Sequence, residues 1–192
     1  LDNLEGKATG DVTEQDLNNL KAECLFIRAF SHFCNVLTYG QPYTYCLASD
    51  KESLGVPYVY HTDPNGKPAR ETVISNYENI VKDLLEAEKC IDPAYDATSV
   101  RPSLVDPLAA VNIHTIQALL SRVYLYMGEW QNAADYATKV IESGNYDIVH
   151  CHTPNASVIT RLVCRKFRKR TGEKKKSRDF EHICQNGGVC SR

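Results

Sequence analysis

The stretch Ala118–Ser143, ALLSRVYLYMGEWQNAADYATKVIES, constrains this chain more than any other. Leu119, Leu120, Val123, Tyr124 and Met127 recur at helical spacing, and Gly128 interrupts them. Trp130, Ala133, Ala134, Ala137, Val140 and Ile141 then begin a second apolar face. A helical period on both sides of a glycine predicts two helices joined at a tight corner. Gly128 suits the left-handed turn after a helix end, where a Cβ costs energy. The alanines of the second segment permit close approach of the two axes, because little side chain stands between them. Antiparallel helix pairs are therefore the expected building unit.

The preceding chain repeats the theme. Asp11–Tyr39 predicts a long helix, with Thr13 and Asp16 spaced like a capping box. Leu25, Phe26, Ile27, Ala29, Phe30, Phe33, Val36 and Leu37 make it apolar nearly all round. Lys21, Arg28, Ser31, His32, Asn35 and Thr38 keep one narrow polar stripe. Such a helix, roughly 40 Å long, is expected to be buried on most of its circumference by partners on more than one side. Gly40 and Pro42 end it. Thr72–Ile91 is the second helix, with Thr72 as N-cap, an apolar stripe from Val73 to Ile91 and a stop at Asp92-Pro93. Asp83 or Glu86 on this helix is the expected ion-pair partner of Arg28.

A third helix begins after Asn112, where the apolar period becomes regular, rather than at Asp106-Pro107. A fourth ends at Gly144, and residues 145–149, NYDIV, read as a short extended exit. Gln41–Arg70 reads as a long irregular connection with an extended piece at Val56–Tyr60, and Tyr95–Pro107 as a second loop. The body is thus two helix pairs, 13–39 with 72–91 and 113–127 with 130–143. Two pairs leave end faces open, and stacks of this kind need about three units or a cap, so more protein is expected to complete them.

Charge divides the chain. Residues 1–160 hold 11 Lys+Arg against 21 Asp+Glu, while residues 161–192 hold 11 against 3. An acidic body of −10 and a basic end of +8 make up the net charge of −2. Cys151, Cys164, Cys184 and Cys190 also crowd into the last 42 residues. Two regions follow: a helical body, 1–149, and a basic, cysteine-containing tail, 150–192. In the body, Cys24 and Cys34 are expected to act as small buried hydrophobes.

The order Tyr124, Gly128, Trp130, Ala134 is close to the tetratricopeptide helix–turn–helix pattern. Four segments, KAECLFIRAFSHFCNVLTYGQPYTY, LGVPYVYHTD, PARETVISNYENIVKDLLEAEKCI and QALLSRVYLYMGEWQNAADYATKVIESGNY, occur in the order found in SusD/RagB-like proteins. The resemblance covers roughly residues 10–149, the N-terminal part of such a protein. It implies a mostly α fold of tetratricopeptide-like antiparallel helix pairs with a long irregular insertion. It further implies non-catalytic capture of an oligosaccharide or other nutrient oligomer at the bacterial outer-membrane surface. The implied partner is a SusC-like TonB-dependent transporter. The family is held to the membrane through a lipidated cysteine after a signal peptide; here no cysteine precedes Cys24, which sits mid-helix, so that anchor is expected to be absent from this sequence. The tail departs from the family pattern and is expected to be either a solvated segment or a foreign extension.

Within this frame, Tyr43, Tyr45, Tyr58 and Tyr60 are the candidate ligand-binding residues. An aromatic face offers flat apolar area to a sugar ring, and the hydroxyl can hydrogen-bond. The alternative is that these tyrosines pin the long connection to the helices. The other motifs are weaker. His150-Cys151-His152 has metal-ligand residue types but fits no common zinc spacing. The 184–190 segment CQNGGVC resembles a piece of an EGF-like repeat. The run RKFRKRTGEKKKSR, 165–178, is basic but carries only Phe167 for stacking, so no nucleic-acid partner is expected. No nucleophile elbow, phosphate loop or paired metal histidines point to an enzyme, a metal or a cofactor. A tetratricopeptide-type scaffold that binds a protein partner is the alternative function.

Overall fold

The computed structural model describes residues 10, 12–49, 53–61, 63, 65–101 and 110–146. Among the described residues six helices run in order: α1 (Glu14–Tyr39), α2 (Tyr43–Ala48), α3 (Val73–Cys90), α4 (Ala97–Val100), α5 (Ile113–Met127) and α6 (Trp130–Glu142). α1 packs on α3, α5 packs on α6, and α3 meets α5, which joins the two pairs into one mostly α body. Among the described residues the only β feature is an isolated antiparallel bridge, Leu54 with Thr72. The expected boundary at 149/150, the His150-Cys151-His152 motif and the basic tail lie outside the described residues.

Helix ends follow from local chemistry. The Thr13 hydroxyl accepts from the Asp16 N–H at 3.1 Å, and Asp16 Oδ2 accepts from the Thr13 N–H at 2.9 Å, completing the capping box. Thr72 and Asn112 cap α3 and α5 by accepting from Ser75 and Thr115. Gly128 ends α5 at φ +79°, and the N–H of Glu129 returns to the Tyr124 carbonyl at 3.0 Å.

The core is built from periodic faces. Ala22, Leu25, Ala29, Phe33 and Val36 of α1 share a buried cluster with Val73, Tyr77, Ile80, Leu84 and Ala87 of α3 and with Ile116, Leu119, Leu120 and Val123 of α5. Ala118, Val140 and Tyr146 form a smaller cluster. Each fully buried aliphatic side chain contributes on the order of 2 kcal/mol by leaving water.

Four expectations need correction. α1 is covered along one face, not around most of its circumference: Ile27 is 57% exposed and Tyr39 72%. Its cover comes from α3 and the segments flanking it. On α6 only Ala133 and Val140 are buried, while Ala134 and Ile141 face solvent. The inward repeat is 133, 136, 140; the 130, 134, 141 stripe lies about one position round the helix. Cys34 is exposed rather than a core residue, and Cys24 is half-buried. Finally, the two connections are partly helical. α2 follows Pro42, its N-cap, whose carbonyl accepts from the N–H groups of Tyr45 and Cys46 at 3.1 Å, and Tyr43 and Cys46 turn inward three residues apart. α4 is one turn capped by Asp96, which accepts from Thr98 at 3.0 Å.

Candidate functional site

Arg28 on α1 and Asp83 on α3 face each other across the first helix pair. Arg28 Nε donates to Asp83 Oδ2 at 2.6 Å, and Nη2 donates to Oδ1 at 2.7 Å. Of the two expected partners Arg28 therefore takes Asp83; Glu86 pairs with Lys21 at 2.6 Å. The Tyr58 hydroxyl donates to the same Asp83 Oδ2 at 2.7 Å. Burial first, then this bond and the carboxylate charge, push the Tyr58 phenol far above the usual tyrosine range, against a weaker pull from Arg28. Tyr58 is thus a protonated donor throughout the neutral range. The bond to Asp83 likewise raises the already high pKa of Arg28.

Three side chains hold the main chain on either side of Tyr58. Arg70 donates to the carbonyls of Gly55 at 2.7 Å and Leu54 at 2.8 Å. The Asn76 amide accepts from the Val56 N–H at 2.7 Å and donates to the Val56 carbonyl at 2.9 Å. His32 Nε2 accepts from the Val59 N–H at 3.0 Å. Gly55 is required by this approach, since a Cβ there would stand 2.1 Å from Asn76 Oδ1. The His32 ring also stacks on Tyr58 with centroids 4.0 Å apart.

The result is a presented aromatic ring. Tyr60 is 44% exposed, with the Arg28 guanidinium 5.1 Å from its ring centroid and the Tyr58 ring 5.1 Å away at 45°. A ring held in this way offers its remaining face for stacking and its hydroxyl for hydrogen bonding.

The four candidate tyrosines fall into different roles. Tyr58 is 3% exposed, and Tyr60 carries the accessible face beside it. Tyr43 is buried in α2, 5.0 Å from the Tyr77 ring. Tyr45, also on α2, is 60% exposed. Sequence reasoning missed His32, Asn76 and Arg70 as grips on the insertion. The one available signal was His32 four residues after Arg28 on the same polar stripe, which puts both on one helix face. It also missed the exposed Tyr126 and Trp130, 44% and 67% exposed, near the α5–α6 corner.

A cleft of about 600 Å³ lies between α3 and that corner. Its floor is Val81, Leu85, Tyr124 and Met127, and charges of both signs, Glu78 and Lys82 among them, line its rim. Among the described residues, no three His, Cys, Asp or Glu side chains are grouped to hold a metal ion. No described helix is long and apolar enough to cross a membrane.

The comparisons with known proteins agree with this fold. Three solved structures overlay most of the chain. A SusD superfamily protein from Bacteroides thetaiotaomicron VPI-5482 is 34% identical over 76% of this chain and 29% of its own, with TM-score 0.62. A SusD superfamily protein from Bacteroides vulgatus ATCC 8482 is 29% identical over 73% of this chain and 29% of its own, with TM-score 0.59. A protein from the same organism described as sugar-binding is 30% identical over 73% and 28%, with TM-score 0.59. The chain therefore spans less than a third of the length of the solved relatives it matches. Comparison with curated proteins finds no match. The family described as starch-binding, associating with the outer membrane, matches residues 1–125, and the chain belongs to this SusD-like family.

Proposed function

We propose that the chain contributes to non-catalytic capture of a glycan at the outer-membrane surface, for delivery to a SusC-like TonB-dependent transporter. Membership of the SusD-like family supports the ligand class and the location. The observation that carries a binding role for these residues is the Tyr60 ring, 44% exposed and backed by Arg28 on a main chain gripped from three sides. Tyr60 and Tyr45 supply stacking faces, while Tyr43 and Tyr58 hold the insertion to the helices. A preformed ring loses little conformational entropy on stacking, so more of the contact energy appears as affinity.

Calorimetric titration of the chain with maltoheptaose, and with a panel of other neutral oligosaccharides, tests this reading. Tyr60→Ala is expected to weaken binding of the best oligosaccharide by about ten-fold, a typical effect of losing one stacking aromatic. Binding unchanged by both Tyr60→Ala and Tyr45→Ala would remove these residues from the site. A second reading, a scaffold for a protein partner, draws support from the exposed α6 stripe of Trp130 and Ile141 and from the apolar cleft floor. Binding of no oligosaccharide in the panel would favour it.

A further inference from the structure

His32 is not a candidate ligand residue, yet its two ring nitrogens meet two different backbone partners. Nδ1 lies 2.8 Å from the Arg28 carbonyl, which can only accept. Nε2 lies 3.0 Å from the Val59 N–H, which can only donate. The partners therefore dictate one state, a neutral ring with its proton on Nδ1. The ring face meanwhile stacks on Tyr58, whose hydroxyl is committed to Asp83. Arg70 and Asn76 hold residues 54–56, upstream of Tyr58. Val59 is the residue immediately before Tyr60, so the His32 bond grips the main chain next to the presented ring.

We infer that His32 is a positioning residue: by accepting from the Val59 N–H it sets the direction in which Tyr60 leaves the main chain, and so preforms the stacking face above Arg28. The inference rests on Tyr60 being a binding face, but the positioning itself is measurable without ligand. The acceptor nitrogen, rather than the ring's bulk, does the positioning. Two variants separate these properties. His32→Gln keeps an acceptor within reach of Val59 and loses the ring. His32→Phe keeps a flat ring against Tyr58 and loses the acceptor.

Amide hydrogen exchange at Val59, together with the fluorine resonance of 3-fluorotyrosine at position 60, reports the positioning in the free chain. Exchange in His32→Gln is expected to stay within about three-fold of the parent. In His32→Phe it is expected to accelerate about ten-fold, the size of one net hydrogen bond, with the fluorine signal moving toward that of solvated tyrosine. The reverse order, Phe preserving and Gln losing protection, overturns the proposal and makes His32 a packing residue. Maltoheptaose titration of the same variants is read separately. Loss of affinity in Phe and not in Gln extends the role to binding. Altered exchange with equal affinity in all three proteins would leave the positioning standing and sink the use of Tyr60 as the glycan face.

Discussion

The two helix pairs share a plan and differ in what their interfaces contain. Between α1 and α3 the apolar seam is crossed by charged and polar groups that find partners. Arg28 meets Asp83, Lys21 meets Glu86, and Asn19 Oδ1 accepts from the Asp92 N–H at 2.8 Å. Glu23 on the same helix pairs with Arg101 at 2.6 Å and accepts from the Tyr95 hydroxyl at 2.9 Å, fastening the segment after α3. Between α5 and α6 the seam is Ala118 against Val140, the Tyr124 and Tyr136 rings stacked 5.7 Å apart, and the Ser121 hydroxyl donating to the Ala133 carbonyl at 2.8 Å, while Asn112 meets the Tyr146 hydroxyl at 3.3 Å where the pair closes. Glu88 of α3 reaches this pair from outside, accepting from Gln117 at 2.9 Å and Tyr136 at 3.1 Å. The first pair thus holds its loops and through them the presented aromatic; the second is close packing around a corner. Buried polar groups fix where a long loop runs, because leaving any one unpaired costs more than apolar contacts can restore.

The sharpest way to break the contrast is to remove the hub of the first pair. Asp83→Ala leaves Arg28 without its counter-ion and the Tyr58 hydroxyl without an acceptor, and is expected to cost about 3–5 kcal/mol in urea unfolding. The comparable change in the second pair, Ser121→Ala, should cost about 1 kcal/mol. Equal losses would mean that the two seams are held in the same way.

High pH probes the same seam. Burial pushes the Tyr77 phenol up to about 12, with smaller contributions from Tyr126 and Cys46. A raised phenol pKa favours the folded state while the ring stays neutral. Stability should therefore be intact below about pH 10, where unfolded tyrosine ionises, and fall between about 10 and 12. The loss from Tyr77 alone is on the order of 2–3 kcal/mol. Difference absorbance of tyrosinate during alkaline titration checks it: Tyr77→Phe should remove one late-ionising ring and flatten that fall.

A smaller effect than these last losses sharpens the picture of the second pair. Gly128→Ala places a Cβ at φ +79°, 3.3 Å from Thr44 Cγ2, and should cost about 1–2 kcal/mol. Because the corner's hydrogen bonds among the described residues stay within 124–133 and do not reach 54–59, thermal melting should shift while amide protection at Val56 and Val59 stays unchanged. Loss of protection at those two amides would show that the pairs are not independent.

Much of this was legible in residue order, and the reason is locality. The capping box at Thr13 and Asp16, the Asn112 start and the Gly128 corner are contacts over a few residues, so spacing alone specifies them. The Arg28–Asp83 pair was legible because a charge on a buried helix face needs a partner, and the facing helix offered two. Which stripe of α6 turns inward was not legible, since Ala133 and Ala134 suit either face and the neighbouring helices choose. The burial of α1 was overestimated for a similar reason: apolar residues state a capacity for burial, and a covering element must still be there to use it.

From residue order alone came the helical character of the chain, its pairing into two antiparallel units and the tyrosines worth watching, since periodicity and capping are properties of neighbouring residues. Tertiary structure alone decided that Tyr58 turns inward and Tyr60 outward, and that His32, Arg70 and Asn76 hold the main chain on either side of Tyr58. Those outcomes depend on side chains reaching main-chain groups 15 to 27 residues away, and sequence spacing carries no record of which distant donor meets which acceptor.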